Sequence, residues 1–280
     1  MNKIYICTNS HQMLAAKVAK YSILSRSEFS EEDIEILIKE EFDFMNSLDD
    51  QNILRGGKSF SFNKGDMQNF TLLRFHIPKL MNYEGKALVI DPDVFLVRNN
   101  LKEVFLKPTK EFGIFCRKGR KENLWSSSVM LLENSKLKHW KIEEFITNLK
   151  NFQLDYEDLI SLKTEKDNIG ILDEKWNQYD DIKHDTVLLH TTEKITQPWR
   201  KGLPMNSSIP KLFGFLPRDK IYKIFGKDLR IGRDHPSLAV SEYFFNEFRK
   251  AYYDKQISDT EIKDAISKKT IRSDIYKYLE

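Results

Sequence analysis

Cysteine is scarce in this chain, with only Cys7 and Cys116 among 280 residues. Both stand in apolar, strand-like contexts far apart in sequence. That spacing leaves no disulfide framework and no cysteine-based zinc site, and it predicts a reducing compartment. Long apolar runs are also missing. Nowhere do about eighteen apolar residues follow one another, the length a membrane-crossing helix needs. The apolar stretch within Met1–Cys7 is too short for a signal peptide, so the expectation is a soluble, cytoplasmic protein. Charge of one sign is scarce as well: 45 Lys and Arg face 42 Asp and Glu. The net charge of +3 is too mild to imply nucleic acid, and no nucleic-acid partner is expected. No low-complexity tract or linker divides the chain. What remains is 40% hydrophobic and 12% aromatic, the composition of a globular chain long enough to bury a sizeable core.

The run Lys86-Ala87-Leu88-Val89-Ile90-Asp91-Pro92-Asp93-Val94-Phe95 carries most of the chemistry. Its unbroken apolar half reads as a central strand covered on both faces, as in parallel α/β sheets, whose ligands bind beyond the carboxyl ends of the strands. Pro92 predicts an extended backbone at that end, where Asp91 and Asp93 would share a face and converge on one divalent ion. Two aspartates opening a turn are an alternative without any ligand. A haloacid-dehalogenase-type phosphotransferase also opens an Asp-x-Asp after an apolar strand. It wants Thr or Val two residues after the second Asp, where this chain has Phe95.

Elsewhere, Ile4–Cys7 reads as a first strand, Thr8-Asn9-Ser10 as a polar turn, and Met13–Leu24 as a helix. Ser30 with Asp33 resembles a capping box before a helical stripe of Ile34, Leu37, Ile38, Met45 and Leu48. Residues 55–65 read as a loop, and Asp66 as the cap of a helix carrying Phe70, Leu73 and Arg74 toward Pro78. Further strands are expected at Phe112–Cys116, at Val129–Leu132 and before His190, with helices after Leu238 and after Ser258. Two local basic surpluses stand out. Arg117, Lys118, Arg120 and Lys121 form a basic loop suited to an anionic acceptor. Lys211, Arg218, Lys220, Lys223, Lys227, Arg230 and Arg233 make the segment 211–233 either a solvated face or a weak peripheral contact with the inner face of a membrane.

Leu73-Arg74-Phe75-His76-Ile77-Pro78, leading into Lys86–Asp93, resembles the Arg-containing helix, strand and Asp-x-Asp of family 8 glycosyltransferases, which include glycogenin and bacterial lipopolysaccharide galactosyl- and glucosyltransferases. Leu172-Asp173-Glu174-Lys175-Trp176-Asn177 resembles the family's Leu-Pro-x-x-Trp-Asn. His190, followed by Gln197-Pro198-Trp199, resembles its His-x-x-Gly-x-x-Lys-Pro-Trp. The resemblance implies a GT-A α/β fold with a mixed, mostly parallel sheet flanked by helices. It also implies a nucleotide-sugar donor, usually a UDP-sugar, Mn²⁺ with Mg²⁺ as the alternative, and transfer with retention to a glycan or lipid-linked acceptor. Residues 1–235 would form the transferase domain, with a donor half of about 1–125 and an acceptor half of about 126–235. Residues 236–280 would form a helical extension packed on it.

Carried onto this chain, the resemblance makes Asp91, Asp93 and His190 the metal ligands, a set whose imidazole suits Mn²⁺. Thr8, Asn9, Arg74, Asp91, Lys194 and Gln197 become donor-binding, Ser127 and Trp199 acceptor-binding, and Glu157 and Asp158 catalytic. The acids Asp155, Glu157 and Asp158 also read as ordinary helix-start acids. Departures are local. Gln197 replaces the family's diphosphate-contacting Lys, leaving Lys194, Arg200 or Lys201 to supply a cation. Ser126 and Ser128 replace an Asn and a Gly. A catalytically silent sugar-nucleotide binder and a metal-dependent nucleotidyltransferase are the competing classes.

Overall fold

The computed structural model describes residues 2–120, 124–204 and 230–280, together with Lys220 and Ile224. The chain divides into two compact units, Met1–Gln178 with Lys183–His190, and Tyr179–Ile182 with Thr191–Glu280.

The first unit is built on a six-stranded sheet. In chain order its elements are β1 (Asn2–Thr8), α1 (Met13–Leu24), β2 (Ile34–Ile38), α2 (Asp43–Asn46), β3 (Asn52–Arg55), β4 (Lys58–Ser61), α3 (Ile77–Leu80), β5 (Lys86–Ile90), β6 (Val94–Leu96), β7 (Ile114–Cys116), β8 (Val129–Glu133), α4 (Ile142–Lys150), α5 (Tyr156–Ile160) and β9 (Ile169–Ile171). The strand order is β2-β1-β5-β8-β7-β9. β1 runs parallel to β2 and to β5, β7 runs parallel to β9, and β8 lies antiparallel between β5 and β7. The sheet is therefore mixed and mostly parallel, as expected. Ala87–Ile90 are 0% exposed, which is why β5 lacks polar alternation. One face, with Tyr5, Cys7, Val89 and Met130, packs on Phe70, Leu73, Phe75, Trp140 and Leu149. Phe75 and Trp140 meet edge-on at 4.7 Å.

Three local readings are corrected. The stripe beginning at Ile34 is not a helix: Ile34–Ile38 is β2, paired in register with Ile4–Thr8. The Ser30 capping box exists, but it closes a single 3₁₀ turn at Glu31–Asp33. The stretch 55–65 is not all loop: it holds the turn and the second strand of the hairpin β3–β4, and the two turn residues, Gly56-Gly57, have φ of 59° and 73°. Positive φ at both central residues is the twist a tight hairpin needs, and glycine adopts it without a Cβ clash. The third concerns residues 66–78. Asp66 Oδ1 accepts from Gln68 N at 2.9 Å, and the helix is a 3₁₀ segment, Thr71–His76, running into α3.

β10 (Gln178–Tyr179) crosses the boundary of the units, and β11 (Leu188–His190) returns to the first, antiparallel to β6. In the second unit, α6 (Leu238–Tyr253) is capped by Ser237, and α7 (Asp259–Ser267) opens with the expected Ser258–Glu261 capping box. Among the described residues no helix is long and apolar enough to cross a membrane. Both cysteines are free and buried.

Candidate metal centre

β5 ends at Ile90, and the next three residues form a turn rather than the extended segment expected. Val94 N donates to Asp91 O at 3.2 Å, with Pro92 at the position where its fixed φ favours such a turn. With this turn the two carboxylates still come together. The β11–β6 register then sets His190 opposite Val94, one residue beyond Asp93. One ligand atom each from Asp91, Asp93 and His190 lies within 4.8 Å of the other two, and all three residues are buried. His190 Nε2 is 3.4 Å from Asp93 Oδ1.

Two carboxylates converging in a buried place repel one another unless positive charge joins them, and with an imidazole beside them the donor set fits a divalent cation of the Mn²⁺ type. Some of that charge is built in. Arg74 Nη2 donates to both Asp91 oxygens, 2.5 Å from Oδ2, and Nη1 donates to Ser127 Oγ at 2.7 Å. Ser127 Oγ donates in turn to Ile160 O at 2.6 Å, tying the end of α5 to the same network. Burial nevertheless pushes the Asp91 carboxyl above its ordinary range; Arg74 opposes that shift and the neighbouring Asp93 adds to it.

At the end of β1, beside β5, Thr8 and Asn9 are fully buried. The Asn9 amide donates to Asp66 O, to Met67 O and, at 2.8 Å, to Asn69 Oδ1, and so shapes the loop over the strand ends. Gln12, which sequence reasoning missed, donates to Met67 O at 2.8 Å. Asn9 Oδ1 and Gln12 Oε1 are buried acceptors that meet no hydrogen-bond donor among the described residues. Only the polar turn after a first strand hinted at them.

Glu157 and Asp158 lie on α5, where Asp155 is the cap whose side chain accepts from Glu157 N. Glu157 Oε2 pairs with Arg55 Nε at 3.2 Å, and Asp158 pairs with Lys163. In the basic loop, Arg117 donates to Asn177 O at 2.6 Å and to Glu174 at 2.8 Å, while the Lys118 ammonium lies 3.5 Å from the Trp125 ring centre. Lys121 lies outside the described residues, as do Lys211, Arg218, Lys223 and Lys227 of the 211–233 segment.

Lys194, Gln197 and Trp199 belong to the second unit. Gln197 Nε2 donates to Thr191 O at 3.1 Å. Trp199 is 2% exposed and packs 4.7 Å from Phe244, inside that unit. Lys201 pairs with Asp234 at 2.6 Å. Arg200 is 4% exposed, and burial lowers its pKa to about 10.

No family model and no curated protein matches the chain. Solved structures do. The glycosyltransferase GlyE of Streptococcus pneumoniae TIGR4 aligns with 96% of this chain at 15% identity and a TM-score of 0.52; the chain spans 64% of the length of GlyE. The galactosyltransferase LgtC, solved with donor and acceptor sugar analogues, aligns with 71% of this chain and 89% of its own at 12% identity and a TM-score of 0.49. The fold of this chain is that of the GT-A glycosyltransferases.

Proposed function

We propose that this chain is a metal-dependent retaining glycosyltransferase that moves a sugar from a nucleotide-sugar donor, a UDP-sugar in the first instance, to a glycan or lipid-linked acceptor. The observation that carries the reading is the buried Asp91–Asp93–His190 group beyond the end of β5, on a GT-A fold. In such sheets the ligand cleft lies at the carboxyl ends of the strands.

Asp91, Asp93 and His190 would hold Mn²⁺, or Mg²⁺ in its place, and the bound ion would supply Lewis-acid stabilisation of charge on the leaving diphosphate. Arg74 fixes the Asp91 carboxylate and carries a positive charge at the same spot. Asn9 Oδ1 and Gln12 Oε1 offer acceptors to the imide N–H of a uracil base. Glu157 and Asp158 orient donor sugar and acceptor, which requires Glu157 to leave or share Arg55. That same pairing favours the second reading, a protein that binds sugar nucleotides without consuming them.

A donor panel separates the two. Release of nucleoside diphosphate with Mn²⁺ and not with chelator supports the transferase. Tight metal-dependent donor binding with no turnover supports the silent binder, and release of pyrophosphate would indicate nucleotidyl transfer.

A further inference from the structure

Asn177 is 0% exposed, and its side chain reaches the imidazole of His190 and the serines beside it. Its Oδ1 lies 2.9 Å from His190 Nδ1, and its Nδ2 donates to the hydroxyls of Ser126 and Ser128, each at 3.2 Å. The two hydroxyls are 2.9 Å apart, and Ser128 Oγ is itself 3.3 Å from Nδ1. The Arg117 bond to the Asn177 carbonyl holds the backbone beneath.

A neutral imidazole carries one N–H, and an amide oxygen only accepts. The 2.9 Å contact therefore needs the proton on Nδ1, which leaves the lone pair on Nε2. Nε2 faces Asp93 Oδ1 at 3.4 Å. Lone pair against carboxylate repels, and a cation between them turns the repulsion into two bonds. The opposite amide orientation would aim the Asn177 NH₂ at Nδ1, move the proton to Nε2, and let His190 donate to Asp93 instead.

We infer that Asn177, oriented by Ser126 and Ser128, is a positioning residue that fixes His190 in the Nδ1–H tautomer and so presents Nε2 to the divalent cation. The inference rests on the metal reading above. It also gives the serines a part, because their hydroxyls accept the two amide N–H groups in the orientation that leaves Oδ1 toward Nδ1. Partners that orient a ligating histidine typically change metal affinity by about 10- to 100-fold when removed.

Ring and metal can be read separately. In metal-free parent protein, ¹⁵N-resolved spectra of the imidazole should report His190 as Nδ1–H. Asn177→Leu, branched like asparagine at Cγ but without an acceptor, should shift the ring toward Nε2–H and raise the Mn²⁺ dissociation constant, measured calorimetrically, by about 10- to 100-fold. Asn177→Asp retains an acceptor for Nδ1–H and should bind Mn²⁺ much as the parent does. In a His190→Ala background, Asn177→Leu should cost nothing further. Should Asn177→Leu not fold, the paired change Ser126→Ala with Ser128→Ala should move the tautomer and the affinity in the same direction. An Nε2–H ring in the parent, or a folded Asn177→Leu with unchanged Mn²⁺ affinity, overturns the inference. A parent that takes up no Mn²⁺ yet shows an Asn177-dependent Nδ1–H ring overturns the metal reading and leaves the tautomer assignment standing.

Discussion

Arg74 grips both carboxylate oxygens of Asp91 in a place where neither side chain is more than 12% exposed. A buried pair of this kind is costly to break from one side, because the survivor keeps its desolvation penalty without its partner. Arg74→Met should therefore lower the stability of the metal-free protein by roughly 3 kcal/mol. It also leaves two acids with less positive charge beside them, so the thermal shift produced by Mn²⁺ should become larger than in the parent. A variant with unchanged melting and a smaller shift would mean that Arg74 helps hold the ion rather than standing in for part of its charge.

Trp199 reads from sequence as an acceptor platform, and the structure sets it against Phe244 at 2% exposure. Removing a buried indole leaves a cavity. Trp199→Ala should cost about 3 to 5 kcal/mol in chemical denaturation. An unchanged midpoint together with a raised acceptor KM would restore the acceptor role.

Asp155 accepts from Gly56 N at 2.9 Å, Gly57 N at 2.7 Å and Glu157 N at 2.8 Å, joining the hairpin turn to α5. Burial alone would raise its pKa, but the three N–H donors outweigh that and hold it below the ordinary 3.8. A carboxyl depressed on folding stabilises above its unfolded pKa, and that contribution disappears as pH falls through the folded value. Stability curves against pH should thus fall less steeply below about pH 4 for Asp155→Asn than for the parent. Parallel curves would deny Asp155 this part in the fold.

Cys7 and Cys116 are both 0% exposed, and burial pushes both thiols well up from their ordinary values. A thiol kept protonated is a poor nucleophile. Neither should react with a disulfide reagent in the folded protein, and both should react in denaturant. Rapid labelling under native conditions would show that the sheet interior opens.

The mixed, mostly parallel α/β fold and the grouping of Asp91, Asp93 and His190 are legible in the sequence, and the local elements around them are less so. β5 and the Asp91–Asp93 pair are readable as an apolar run ending in acids, a pattern that a plain turn also gives, and His190 is readable only through the resemblance of the motif that follows it. The turn at Pro92 is not, since Pro fits both an extended strand end and the second position of a turn. Ile34, Leu37 and Ile38 have helical spacing, but Ile34-Glu35-Ile36-Leu37-Ile38 is also rich in β-branched residues and finds a parallel partner in β1; the long-range pairing decides. Gly56-Gly57 does carry a hairpin signal, hidden by polar neighbours on both strands. Asn177 has a place in a resembled motif and no role until the fold sets it against His190.

Thermal unfolding of the parent and of Asp93→Ala, with Mn²⁺ and uridine diphosphate together, tests the central claim most directly. The parent should be stabilised by the pair of ligands and lose that stabilisation on chelation, and Asp93→Ala should show none. Equal stabilisation of both proteins would remove Asp91, Asp93 and His190 as the place where metal and nucleotide meet.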